Sequence, residues 1–145
     1  MTGAQRILIL AAFVMAASAN PAARAEEHMV FAQPNNTFEP SELTIEEGDT
    51  VTWSNAGGFH NVRADDDTFR CADGCDATGG DGSPSTDMWS FSLVFTDVGL
   101  IPYYCEVHGA PNGVGMSGVV EVLEGPLFAD GFESGDTSAW SASTP

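Results

Sequence analysis

The chain has 145 residues, with no lysine, four arginines and 21 acidic residues, for a net charge of −17 with histidine neutral. So negative a chain repels nucleic acid and anionic membrane and favours basic partners. Hydrophobic residues make up 43% of it, which excludes the apolar-poor composition of a wholly disordered protein.

The first segment reads as an export signal. Arg6 precedes an apolar run from Ile7 to Ala17, and small-x-small sites follow at Ala17-Ser18-Ala19 and Ala23-Arg24-Ala25. A positive start, a brief apolar stretch and such a site make a secretory signal. The run falls short of the about 20 apolar residues that span a bilayer. Residues 1–25 are therefore expected to be cleaved after Ala25, giving a periplasmic or secreted protein with no membrane span in the mature chain. All 21 acids lie beyond that cut against Arg63 and Arg70 alone, so the remainder carries −19.

From there the chain reads as short strands broken by turns. Met29–Gln33 predicts a first edge strand, ended by Pro34-Asn35-Asn36. Phe38, Leu43 and Ile45 lead to the acidic turn Glu46-Glu47-Gly48-Asp49. Thr50–Ser54 alternates polar and apolar, the period of a half-buried strand. Asn55–Gly58 turns the chain into a short strand, His60–Arg63. Residues 65–87, rich in Gly and Asp and without periodicity, predict a long surface loop. Its acids lack the D-x-[DN]-x-[DN]-G frame of a calcium loop. Ser90–Phe95 alternates again, Asp97-Val98-Gly99 turns into Leu100–Cys105, and Met116–Leu123 closes the series. No helical stripe follows residue 25. The expectation is an all-β antiparallel sandwich over 26–124, with 125–145 a flexible or sorting tail.

Three cysteines remain. In an oxidising compartment Cys71 and Cys75, four apart in the Asp-rich loop, are the natural disulfide. Cys105 is left over, and an unpaired thiol there calls for an occupant. Tyr103-Tyr104-Cys105-Glu106-Val107-His108, then Met116, puts a thiolate, an imidazole and a thioether on one strand end and the loop beyond it. Phe59-His60-Asn61-Val62 adds a second imidazole upstream. Two His, one Cys and a weak Met make a blue-copper electron-transfer site: thiolate and thioether suit Cu(I), imidazole suits both oxidation states. Trp53, Phe91, Phe95 and Tyr104 read as core aromatics, and His28 as structural.

The order Pro40-Ser41-Glu42-Leu43-Thr44-Ile45, Gly48-Asp49-Thr50-Val51-Thr52-Trp53, His60-Asn61-Val62, Tyr103-Tyr104-Cys105 and Gly115-Met116-Ser117-Gly118 resembles the plastocyanin-like branch of the cupredoxins. The resemblance implies a Greek-key β-sandwich binding one copper that cycles between Cu(I) and Cu(II). His60 and His108 would bind through ring nitrogens, Cys105 through its thiolate and Met116 axially, while Asn61 ties the two ligand loops together. It implies a monomeric one-electron carrier for redox proteins, basic ones given the charge, and not an enzyme. A copper-binding or delivery protein without a shuttle role is the alternative. An apolar docking patch is expected around His108, from Gly57-Gly58-Phe59 and from Gly109, Ala110, Pro111 and Val114. Two features depart from the family. The spacing is C-x2-H-x7-M, where plastocyanin usually has four residues between His and Met. The Asp-rich loop with its Cys pair is an insertion.

Overall fold

The computed structural model describes residues 25–125. The expected export signal, up to Arg24, and the expected tail from residue 126 onward lie outside the described residues. Ten strands follow in order: β1 (Glu27–Gln33), β2 (Thr37–Glu39), β3 (Glu42–Glu46), β4 (Thr50–Asn55), β5 (Val62–Ala64), β6 (Arg70–Ala72), β7 (Gly74–Cys75), β8 (Ser90–Val94), β9 (Gly99–Ala110) and β10 (Val114–Leu123). They form a four-stranded sheet, β2-β1-β4-β8, and a six-stranded sheet, β3-β10-β9-β5-β6-β7.

The all-β architecture is the expected one, but its sheets are mixed. β1 runs parallel to β4, and β3 parallel to β10. Neither pair is joined by a hairpin, so no tight turn dictates opposite directions. The alternation read in Thr50–Ser54 puts Val51 and Trp53 inside, fully buried. Trp53 stacks on Phe91 with centroids 5.3 Å apart and meets Tyr103 edge-on at 5.5 Å. Phe38 packs edge-on against Tyr103 at 4.9 Å. Offset and edge-on aromatic contacts of this kind add about 0.5–1.5 kcal/mol each beyond area burial. Phe95 is buried as expected and Tyr104 is too, but it is Tyr103 that joins the central cluster.

The 65–87 segment is more than a surface loop. Cys71 and Cys75 are disulfide-bonded, as expected, and sit opposite each other in the β6–β7 pair. Cys71 and Ala72 are fully buried and belong to the core. β6 in turn pairs with β5, Val62 opposite Cys71 and Arg63 opposite Arg70. The segment thus widens the six-stranded sheet. Its sequence hid this because strands of two or three residues are too short to show a period.

The C-terminal hairpin explains the long His-to-Met spacing. β9 and β10 pair from Gly99–Val122 up to Tyr104–Ser117, lose register, and resume at Gly109–Gly115 and Ala110–Val114. Cys105, Glu106, Val107 and His108 therefore stand opposite Met116 alone. Pro111-Asn112-Gly113 turns the hairpin, with Asn112 and Gly113 at φ of 67° and 76°. Left-handed Asn-Gly is the cheapest sequence for such a turn. Asn112 N–H donates to Asp65 Oδ2 at 2.7 Å, which pins the tip. The extra residues thus lengthen the two strands and do not distort the ladder below.

Candidate metal centre

Three of the four singled-out side chains converge. His60 Nδ1 lies 3.8 Å and His108 Nδ1 3.7 Å from Cys105 Sγ. The ligand atoms of His60, Cys105 and His108 all fall within 4.8 Å of one another. The two imidazoles meet edge-on, centroids 4.9 Å apart. His60 and Cys105 are fully buried, whereas His108 reaches the surface. Cys105 is the one free cysteine of the described residues. Met116 is buried in the core, at the register break that faces Cys105–His108.

The spacing suits a single ion. Donors at 120° around a first-row metal, about 2.0–2.1 Å for nitrogen and about 2.3 Å for sulfur, stand about 3.8 Å apart; a tetrahedral angle gives about 3.6 Å. The observed separations of 3.8 and 3.7 Å fall in this range, as three donors around one ion require. Burial, and then the neighbouring His108, lower the His60 pKa below the ordinary histidine value against a smaller pull from the Gln33 and Gly57 carbonyls. A neutral imidazole has a lone pair free for a metal. His60 Nε2, turned away from the thiol, has no hydrogen-bond partner among the described residues.

His60 is held from several sides. Its backbone exchanges hydrogen bonds with Ser85, His60 N to Ser85 O at 3.2 Å and Ser85 N to His60 O at 3.0 Å. The Trp89 indole N–H donates to the His60 carbonyl at 3.2 Å. Gly57 and Gly58 adopt φ of 132° and 105°, open only to glycine, and a Cβ on Gly58 would overlap the His60 ring. Asn55, 2% exposed, fixes this turn: its Nδ2 donates to the Gly58 and Asp87 carbonyls, and its Oδ1 accepts from Gly57 N–H. Sequence reading missed Asn55 and Trp89; a polar residue closing an apolar strand just before a Gly pair was the available signal.

Asn61 links the two ligand segments. Its Oδ1 accepts from Glu106 N–H at 3.0 Å, and its Nδ2 donates to Glu106 Oε2 at 2.6 Å and to the Gly82 carbonyl at 2.9 Å. Glu106 also receives Arg63 Nη1 at 2.6 Å and Arg70 Nε at 2.8 Å. Burial alone would raise the Glu106 pKa, but Arg63, Arg70 and Asn61 outweigh it and hold the carboxyl below its ordinary range. Nothing in the sequence flagged Glu106 or its two arginines. His28, read as structural, pairs with Asp49 at 2.9 Å, far along the chain from the cluster.

Residues 25–123 match the copper-binding proteins of the plastocyanin/azurin family. The plastocyanin of Scenedesmus fuscus is 37% identical over 86 residues, which cover 59% of this chain and 85% of that protein. The chloroplastic plastocyanin of Tetradesmus obliquus is 38% identical over 86 residues, 59% of this chain and little more than half, 57%, of the relative. A solved structure of a reduced amicyanin variant is 29% identical, with a TM-score of 0.47 over 67% of this chain and 82% of that chain. With the family's pattern matched across all ten strands and a His-Cys-His cluster in place, the chain belongs to the plastocyanin/azurin family of copper-binding proteins.

Proposed function

We propose that this chain is an exported one-electron carrier in which His60, Cys105 and His108 would hold a single copper, with Met116 as a weak fourth donor. The observation that carries the reading is the convergence of two imidazole nitrogens on a buried, unpaired thiol. A blue-copper ion supplies a reversible Cu(I)/Cu(II) couple in such a setting. The protein's own part is to keep the donors in place. His60 and Cys105 are buried and cross-braced, so little needs to move between oxidation states. The register break gives Cys105–His108 room to face Met116, and the buried thioether supports its axial role.

Burial also favours a carrier over a delivery protein. Handing an ion to a partner requires ligands that an incoming thiol or imidazole can reach, and of these three only His108 is reachable. His108 is thus the natural exit for an electron. Of the residues expected to form the docking patch, Phe59 and Val114 are 46% and 58% exposed, and Pro111 is exposed too. This apolar rim, in a chain so acidic, suits docking by basic redox proteins. On this reading the chain works as a monomer, transforms no substrate, loses residues 1–25 on export and acts in the periplasm or outside the cell, with 125–145 a flexible or sorting tail.

Loading the protein with copper and recording a visible spectrum tests the assignment. An intense thiolate-to-Cu(II) band is expected, abolished by Cys105→Ala and kept by Cys71→Ala. A Cys105→Ala protein that retains the band refutes it.

A further inference from the structure

Arg63 and Arg70 are the only Lys or Arg among the described residues, and the fold sets them directly opposite each other on neighbouring strands. Like charges in that relation repel and destabilise the pair. Each has a carboxylate of its own, Asp67 for Arg63 and Asp76 for Arg70. Both also close on one shared carboxylate, that of Glu106, the residue after Cys105.

From Glu106 the contacts run in a closed circuit. Glu106 Oε2 accepts from Arg70 Nε; Arg70 Nη1 meets Asp76 Oδ2 at 3.0 Å; Asp76 Oδ1 accepts from Gly82 N–H at 2.7 Å. The Gly82 carbonyl accepts from Asn61 Nδ2, and Asn61 returns to Glu106 through both its amide atoms. The circuit therefore joins the residue after His60 to the residue after Cys105. It passes through the disulfide-bearing segment between them. Gly82 sits so close to the Arg70 carbonyl and Asp76 that a Cβ there would collide with both. Asn61 lies fully buried at the inner end of this ring and Asp76 half-exposed at its outer end, and a closed ring of hydrogen bonds stiffens its members because each bond orients the next.

We propose that Arg70 and Glu106 are positioning residues for Cys105, and that the 65–87 segment is a brace that fixes the thiol and His60 relative to each other through this ring. The inference rests on the copper reading above. Its roles divide by geometry. Asn61 and Glu106 hold the Cys105 peptide at the site, and Arg70 anchors them to a strand that the Cys71–Cys75 bond keeps in register. Arg63, bonded to Asp67 on its far side at 2.8 Å, balances the second Glu106 oxygen.

The test uses Arg70→Met, Arg70→Lys and Glu106→Gln, with two readouts. The first is the rate at which apo Cys105, the sole free thiol, reacts with a thiol reagent. The second is the reduction potential and thiolate-to-copper spectrum of the loaded protein. Arg70→Met should raise the labelling rate several-fold, alter the spectrum and lower the potential, since a positive charge near the ion is lost. Glu106→Gln should raise the labelling rate and the potential together. Arg70→Lys keeps the charge but cannot span Glu106 and Asp76 with one planar group. It should restore the potential without restoring the labelling rate. Full rescue of both by lysine, or an Arg70→Met protein that labels and absorbs like the parent, overturns the proposal. If Arg70→Met does not fold, Asp76→Asn opens the same ring at its solvent side and must give the same faster labelling. A failed copper assignment is recognised separately, by the Cys105→Ala spectrum.

Discussion

Asp49→Asn should cost the fold about 2–4 kcal/mol near neutral pH, and the loss should fade in acid. Asp49 lies in the turn before β4, 5% exposed. Its Oδ1 accepts from Glu26 N–H at 2.7 Å, and its Oδ2 from Glu46 N–H at 3.0 Å and His28 Nε2 at 2.9 Å. It thereby fastens the start of β1 to the β3–β4 turn. Asparagine keeps one accepting oxygen and turns an NH2 toward a donor, so at least one bond is lost and a donor is stranded. Hydrogen bonds to charged groups contribute about 1.5–3 kcal/mol each, which sets the range. Burial alone would raise the Asp49 pKa, yet the Glu26 and Glu46 N–H groups and His28 outweigh it and hold it below the ordinary value. The folded state then binds this proton less readily than the unfolded one. Its contribution is complete above the unfolded carboxylate range and disappears as pH falls through the folded value. Thermal unfolding of parent and variant, followed by circular dichroism from about pH 7 to about pH 2, measures this; each kcal/mol moves the Tm of such a domain by about 4–8 °C. A gap that stays constant down to the acid end, or one under about 0.5 kcal/mol at neutral pH, refutes the reasoning. Cleavage after Ala25, proposed above, would leave the Glu26 nitrogen as an ammonium at the same oxygen. The processed form should then suffer more from the substitution than the precursor.

Substitutions at two further positions probe the metal site. Gly58→Ala forces a side chain into the His60 ring at a backbone angle that only glycine tolerates, so copper affinity should fall by about tenfold or more and stability by about 1–3 kcal/mol. Copper titration of the apo variant with parental affinity would contradict the role given to that glycine. Met116→Gln should lower the reduction potential, because an oxygen donor favours Cu(II), while Met116→Leu should raise it; both should retain copper. Parental potentials in both variants would make Met116 core packing only.

The ligand types, their order and the all-β class were legible because they are local. Cys105 stood out as the odd thiol, Thr50–Ser54 carried its alternation, and Pro111-Asn112-Gly113 announced its turn. The parallel pairings of β1 with β4 and β3 with β10 were hidden, since direction between strands far apart in sequence leaves no periodic trace. So was the ring around Glu106. Arg63, Arg70, Asp76 and Gly82 each look like ordinary solvent-facing residues of an acidic protein. Only folding brings them together, and no spacing between them encodes it. The short β6 and β7 were read as loop for the same reason: their burial comes from neighbours, not from an apolar run.

The pairing of β10 with β3 bears on when the protein can take up its ion. Val119–Leu123, near the end of the domain, lie in register with Glu42–Glu46, near its beginning. β10 also covers one flank of β9, the strand that carries Cys105 and His108. On the export proposed above, a chain emerging from a membrane pore amino end first would present an unsheltered thiol until β10 has crossed and docked. Metal acquired before that moment would meet a flexible, exposed cysteine open to any soft ion or to disulfide exchange. Metal acquired afterwards meets a socket whose shape is already decided. On that reading maturation follows a fixed sequence, translocation first, sheet closure second and copper last, with β10 acting as the checkpoint between an indiscriminate thiol and a selective site.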